Sequence, residues 1–147
     1  TTQRWAVLRW NNPVANAWNR FVVNTNPVVA TTLTSVTMTS PTDGWAVGNV
    51  LGATGGATTQ RWAVLRWNGA AWTRFVVNTP GVNATTLNSV SCFTANDCWA
   101  VGNAARLHWD GTTWSLVTTP VVTNNLYGVG LVGPRSRPQA GWQEVYP

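Results

Sequence analysis

Short runs of apolar and β-branched residues, separated by polar turn residues, follow one another along the chain. One such stretch contains four runs, LNSVSCF (87–93), ANDCWAVGN (95–103), RLHW (106–109) and TTWSLVTT (112–119). The last two runs are joined by Asp110-Gly111, and Asn68-Gly69 holds the same place in the preceding stretch. Because both central residues of a type I′ turn need a positive φ, these dipeptides predict tight hairpins. Each stretch therefore predicts four antiparallel strands.

This four-stranded unit is repeated along the chain. TTQRWAVLRWN at 1–11 returns unchanged at 58–68, and WAVGN occurs at both 45–49 and 99–103. A third, looser copy begins with LHWDGTTW at 107–114 and continues with LYGV at 126–129. Repeats of about 40 to 57 residues are typical of stacked supersecondary units. Four-stranded antiparallel units repeated in this way predict an all-β fold made of β-propeller blades.

Residue size along the unit fits the same geometry. Small residues occupy the first two strands, at Ser89, Ser91, Ala100 and Gly102. Near a propeller axis the blades crowd together, so small residues are expected there. Trp62, Trp67 and Trp72 fall on the third and fourth strands, where the blades diverge. We therefore expect most of these indoles to form the core between blades.

The composition favours strands over helices and weakens most enzyme hypotheses. Charged residues make up 9% of the 147 residues, against about 25% in typical soluble domains. Few side chains could act as general acids or bases in catalysis. They are Asp43, Asp97, Asp110, Glu144 and His108. We expect neither enzymatic activity nor a cofactor.

The charge is positive but sparse, with a formal net value of +5. All nine basic residues are Arg, and most are spread along the strand-like segments rather than clustered as in nucleic-acid binders. No run of 18 apolar residues occurs, so no membrane-spanning segment is predicted. Neither nucleic acid nor a membrane is an expected partner. No signal peptide is recognised, and the chain starts inside a repeat unit, as a trimmed product would.

The only two cysteines, Cys92 and Cys98, flank a turn between two predicted strands. The earlier unit has Met38 and Gly44 at these positions, so both cysteines are present together or absent together. Cross-strand Cα distances suit a disulfide, which would imply an oxidising, extracytoplasmic or secreted setting. Free buried thiols are the alternative. Two cysteines and a distant His are too few for zinc.

The motifs resemble a known group of propellers. GWAVGN at 44–49 and CWAVGN at 98–103 each precede a hairpin that ends in a Trp. They resemble bacterial β-propeller repeats with Trp-rich blades, including photosystem II assembly-factor-like and BNR (Asp-box) propellers. The resemblance implies propeller blades from residue 1 to about 132. HWDGTTW is one residue short of an Asp-box, and no catalytic residues of sialidases carry over.

Counting blades predicts an oligomer. The chain is one propeller segment that divides into a half blade at 1–25, blades at 33–79 and 87–119, and a half blade at 126–147. The second strand of the last half blade is degenerate, although Gly141-Trp142 is retained. Three blade equivalents cannot close a ring, since rings typically hold 4–8 blades. We expect a strand-exchanged homodimer of six blades, with a homotrimer of nine as the alternative.

Ligand-binding candidates are few. Exposed Arg and Trp side chains between blades could form a ligand surface, at Arg61, Arg66, Trp62 and His108. Asp43 and Asp97 are expected to cap one turn in each unit. GATGG at 52–56 predicts a flexible loop between the second and third strands.

The leading functional hypothesis is a non-enzymatic propeller scaffold that binds a protein or a glycan. A lectin with repeated sites between blades is the alternative. A glycoside hydrolase is less favoured because no pair of carboxylates recurs.

Overall fold

The protein is described by a computed structural model, which covers residues 5–11, 17–23, 29–54, 57–75, 77, 86–118 and 123–132. Ten strands are present in these residues. They are β1 (Ala6–Asn11), β2 (Ala17–Val22), β3 (Val29–Ser40), β4 (Asp43–Thr54), β5 (Ala57–Trp67), β6 (Trp72–Phe75), β7 (Leu87–Thr94), β8 (Asp97–Gly102), β9 (Ala105–Trp109) and β10 (Trp114–Leu116). The described residues contain no helix that could cross a membrane.

The strands form three antiparallel units in chain order. We call β1–β2 the hairpin, β3–β6 the first sheet and β7–β10 the second sheet. Each four-stranded sheet has its strands side by side in sequence order. The predicted all-β class and the blade-like four-stranded units are therefore confirmed. The main boundary difference is β3, which starts at Val29 rather than at the predicted residue 33.

The predicted type I′ turns are wrong. Within these two turns, only the glycine of each has a positive φ, 93° at Gly69 and 95° at Gly111. The Asn68 side chain accepts hydrogen bonds from the backbone N–H groups of Ala70 and Ala71, at 3.0 and 2.8 Å. These bonds stabilise a four-residue loop between the paired Trp67 and Trp72. The side chain at the first loop position, rather than a second positive φ, shapes the turn.

The predicted GATGG loop is also wrong in its described part. The β4–β5 ladder continues through Gly52, Ala53 and Thr54, which pair with Thr59, Thr58 and Ala57. The threonines favour extended structure, so the two strands continue as a long hairpin instead of separating. The remaining two glycines of the motif lie outside the described residues.

The three units stack face to face, and each contact has its own apolar core. Between the hairpin and the first sheet the core includes Trp5, Val23, Leu65 and Trp67. Between the first and second sheets it includes Trp45, Trp62, Leu107, Trp109 and Trp114. The predicted Trp core between blades is therefore present at both contacts.

Residues 126–132, which we call the C-terminal segment, continue the stack beyond the second sheet. The Val129 and Leu131 N–H groups donate to the hydroxyls of Ser89 and Ser91, both at 3.2 Å. The Val90 N–H donates to Ser35 Oγ in the same way between the two sheets, at 3.2 Å. The C-terminal segment thus takes the position of a first strand. Its predicted second strand lies in residues outside the described part.

Candidate functional site

The two identical copies of WAVLRW, at 5–10 and 62–67, have different surroundings. Leu8 is 58% exposed, whereas the equivalent Leu65 is 0% exposed. Trp10 is 42% exposed, whereas the equivalent Trp67 is 1% exposed. Since the sequences are the same, the difference arises from what covers each copy. Leu65 and Trp67 in β5 are covered by the hairpin, and no described residues cover the same face of β1.

The strand pairing shows a similar difference. β5 is hydrogen-bonded to β4 on one edge and to β6 on the other. Among the described residues, β1 is paired only with β2, so its other edge has backbone N–H and C=O groups without a strand partner. An edge of this kind is a template for a further strand.

A cleft of about 570 Å³ lies between β1 and the outer face of the first sheet. Its walls include Arg9 and Trp10 from the hairpin and Met38, Trp67 and Trp72 from the first sheet. A second cleft of about 400 Å³ continues along β1, between Leu8 and the β3 residue Val36. Val36 is 57% exposed, whereas its equivalent Val90 in the second sheet is 5% exposed. The mostly apolar walls of both clefts suit another protein segment or an aromatic ligand.

The equivalent place between the first and second sheets is filled by Trp45. Its indole ring lies 4.8 Å from the ring of Trp109 and 5.2 Å from that of Trp114. The Phe75 ring packs edge-on at 5.6 Å, and the Arg66 guanidinium lies over the indole at 5.3 Å. These aromatic and cation–π contacts bury the Trp45 side chain completely.

A repeated contact between a basic and an acidic side chain, which the sequence did not predict, lies at the rim of each sheet. Arg66 Nε donates to Asp43 Oδ1 at 3.1 Å in the first sheet, and His108 Nε2 lies 2.9 Å from Asp97 Oδ1 in the second. The Asp43 carboxylate also accepts a bond from the Thr39 hydroxyl, whereas the turn N–H of Thr42 donates to Ser40 Oγ. The shared repeat positions of the two pairs were a signal in the sequence, but only the strand register places the partners together.

The residues predicted to form a ligand surface do not share one environment. Trp62 is 5% exposed and packs in the core between the sheets. Arg66 is held by Asp43 and the rings of Trp45 and Trp109. The His108 ring stacks on Trp99 at 4.6 Å.

Arg61 is the exposed member of the predicted surface. Burial lowers the pKa of the nearby Arg74, and the positive charge of Arg61 lowers it further. The neighbouring guanidinium groups of Arg61 and Arg74 do not by themselves indicate which ligand could bind there.

A disulfide joins Cys92 and Cys98, which are cross-strand partners in β7 and β8. In the first sheet, Met38 and Gly44 take these two positions, and the Met38 thioether lies against Gly44. A sulfur side chain therefore fills the same space in both sheets.

The described acidic groups serve local structure. Asp110 accepts bonds from the backbone N–H groups of Thr112 and Thr113, both at 2.8 Å. Within the described ranges, no three His, Cys, Asp or Glu side chains come together as a metal site.

Searches against protein-family models, curated proteins and solved structures gave no match to this chain. The resemblance to Trp-rich propeller repeats therefore stays a prediction from the motifs.

Proposed function

We propose that this chain is a non-enzymatic β-propeller scaffold in which two copies close a six-bladed ring by exchanging terminal strands. The observation that carries the proposal is the exposure of Leu8 and Trp10 at positions whose sequence-identical equivalents, Leu65 and Trp67, are buried. A second copy would cover the exposed positions with the same kind of sheet that covers the buried ones.

We call the shared blade between two copies the joint. The geometry of both ends of the chain supports it. The hairpin has the third and fourth strands of a blade, and the C-terminal segment packs as a first strand. One copy's hairpin and another copy's C-terminal segment together would make a blade with the strand order of the two complete sheets. Two such joints give six blades, and three chains with three joints would give nine.

The exposed aromatic pair on the hairpin supports an apolar joint. The Trp10 and Trp18 rings contact each other at 5.2 Å, and Trp18 is 61% exposed. In the first sheet the equivalent Trp67 and Trp72 are buried against the neighbouring unit. Burying two indoles would contribute on the order of a few kcal/mol at each joint.

The proposed ligands are proteins or glycans, which would bind to surfaces that recur around the ring. The disulfide supports an oxidising, extracytoplasmic setting. The exposed hairpin residues proposed to form the contact between copies are mostly apolar, so the association should tolerate high salt.

Replacing Trp10 and Trp18 by Ala tests the proposal. In a single chain the two indoles mainly contact each other, so a monomer should lose only on the order of 1 kcal/mol of unfolding free energy. If two copies bury these indoles, the double variant should dissociate at concentrations where the natural chain stays assembled. Sedimentation velocity measures this, with exposed Thr73→Ala as the control. An assembly unchanged by loss of both indoles would overturn the proposed joint.

Glycan binding is a second candidate, favoured by the three indoles in the walls of the larger cleft, Trp10, Trp67 and Trp72. Sugar rings stack on such surfaces. A glycan array tests it, and the expected result is a hit that Trp10→Ala abolishes. Docking of a second copy would fill the same cleft, so strong glycan binding by the assembled protein would count against the ring.

A further inference from the structure

A five-residue motif occurs once in the first sheet and once near the end of the chain. Residues 41–45 are PTDGW, and residues 138–142 are PQAGW. The distance from Leu33 to Pro41 is 8 positions, whereas that from Leu126 to Pro138 is 12. The four extra residues therefore precede the motif and leave its internal spacing unchanged.

In the first sheet this motif does two things. The Pro41 carbonyl accepts a hydrogen bond from Trp67 Nε1 at 3.0 Å, which fixes the turn to the third strand. Trp45 enters the aromatic site made by Phe75, Trp109 and Trp114. The second sheet repeats the first contact, since Trp109 Nε1 donates to the Ala95 carbonyl at 3.1 Å.

The cleft beside the hairpin has the same aromatic frame. The Phe21 and Trp67 rings lie 4.9 Å apart, as Phe75 and Trp109 lie 5.4 Å apart around Trp45. The Trp67 and Trp72 rings are 5.6 Å apart at 41°, and the Trp109 and Trp114 rings are 5.9 Å apart at 40°.

The arginine beside these rings also has an equivalent in the Trp45 site. The Arg9 guanidinium lies over the Trp67 ring at 5.8 Å, as the Arg66 guanidinium lies over Trp109 at 5.4 Å. The cleft thus has the walls of the Trp45 site.

We infer that this cleft is a specific receptor for residues 138–142 of a second copy, with Trp142 of that copy taking the place that Trp45 takes between the sheets. The inference rests on the proposed strand exchange and names the contact that directs it. Trp142 packs on Trp67 and Trp72 and under the Arg9 guanidinium. The Pro138 carbonyl accepts the bond from Trp10 Nε1.

The occupant comes from another copy because of the stack order. In both sheets the second strand, which in the first sheet carries the motif, lies beside the first strand of its own unit. The C-terminal segment packs on the second sheet, at the opposite end of the stack from the hairpin. A second strand beside this segment cannot also lie beside β1 of the same chain.

The two motifs differ at their third residue. Asp43 of PTDGW pairs with Arg66 at 3.1 Å, and Asp97 pairs with His108 at the same position. In PQAGW this position is Ala140, so Arg9 would contact the Trp142 indole but would have no carboxylate partner from the motif. Restoring the carboxylate should therefore strengthen docking.

Photocrosslinking with isotope-labelled chains tests the docking. A chain with Trp142→benzoylphenylalanine is mixed with a ¹⁵N-labelled natural chain, irradiated and digested with trypsin. We expect the C-terminal peptide of the unlabelled chain to be linked to the labelled peptide 67–74, which contains Trp67 and Trp72. The control is Trp45→benzoylphenylalanine, which should link to the peptide that contains Trp109 and Trp114 of its own chain.

Any other crosslinking result would contradict the proposed docking, the proposed ring or both. Links only within one chain would show that the chain's own end fills the cleft. Links to other peptides in a two-chain particle would overturn the receptor and leave the ring standing. A single-chain mass without links between chains would overturn both proposals.

Dissociation constants give a second test that does not depend on the photoreactive residue. Trp142→Ala should weaken association by at least about tenfold, as for a buried interface Trp, whereas Trp142→Phe should retain most of it. Ala140→Asp should tighten association by a few fold, and Thr112→Ala in an exposed turn should leave it unchanged. Equal dissociation constants for Trp142→Ala and the natural chain would overturn the receptor.

Discussion

Gly48 and Gly102 occupy the same position in β4 and β8, where the backbone of the adjacent chain segment comes very close. A Cβ at either residue would collide with a backbone carbonyl oxygen, that of Thr32 or that of Thr86. Backbone atoms cannot move away as a flexible side chain can. The glycine of WAVGN is thus required by close approach rather than by a positive φ.

Gly102→Ala should therefore lower the free energy of unfolding by about 1–3 kcal/mol, the usual cost of overpacking. Gly130 in the C-terminal segment is the matched control, because nothing lies within 4 Å of a Cβ built there. Urea unfolding of both variants measures the difference. Equal midpoints for Gly102→Ala and Gly130→Ala would contradict the account of the close approach.

The cysteines give a second prediction for single residues. The folded protein should take up no thiol reagent before reduction, because Cys92 and Cys98 are bonded to each other. After reduction and unfolding, two thiols should react. Mass spectrometry of the labelled protein checks both numbers, and rapid labelling of the unreduced folded chain would contradict the bond.

The third and fourth strands of the two sheets are joined by loops of the same kind, which begin with different residues. Asn68 and Asp110 each accept two backbone hydrogen bonds from the loop that they begin. The bonds from Thr113 and Thr112 lower the pKa of the Asp110 carboxyl. Asn68 makes the same bonds without titrating. The two loops are thus a charged and a neutral version of one element.

This difference predicts a pH dependence for the second loop. Because its pKa is lowered in the folded state, ionised Asp110 stabilises the fold above its ordinary pKa of about 3.9. That contribution should disappear as the pH falls through the lower folded value. Asp110→Asn should keep the loop and lose this dependence. Unfolding curves of the two proteins should therefore converge or cross below about pH 4, and parallel behaviour would contradict the role of the carboxylate.

The sequence predicted elements better than the contacts between them. Repeats, runs of β-forming residues and turn residues are local, so the four-stranded units could be recognised from them. The turn type could not, because it depends on bonds from the Asn68 side chain rather than on the Asn-Gly pair alone. The Arg66–Asp43 pair was missed because its partners are 23 positions apart and meet only through the strand register.

At the scale of the whole molecule, the stack has two different ends. One end is the hairpin, whose Trp10 and Trp18 are exposed and whose β1 edge has no strand partner among the described residues. The other is the C-terminal segment, a first strand whose Tyr127 and Val132 side chains are exposed. Blade counting predicted that such ends would join. The aromatic cleft at the hairpin could not be predicted, because its walls, such as Arg9 and Met38, come together only through the packing of the hairpin on the first sheet.

The mass of the 147-residue chain in solution tests the central claim most directly. Multi-angle light scattering over a range of concentrations and at both low and high salt should give twice the mass of one chain, or three times if the ring has nine blades. The apolar joint predicts that the mass does not fall at high salt. A well-folded particle with the mass of a single chain at all concentrations would contradict the strand-exchanged ring.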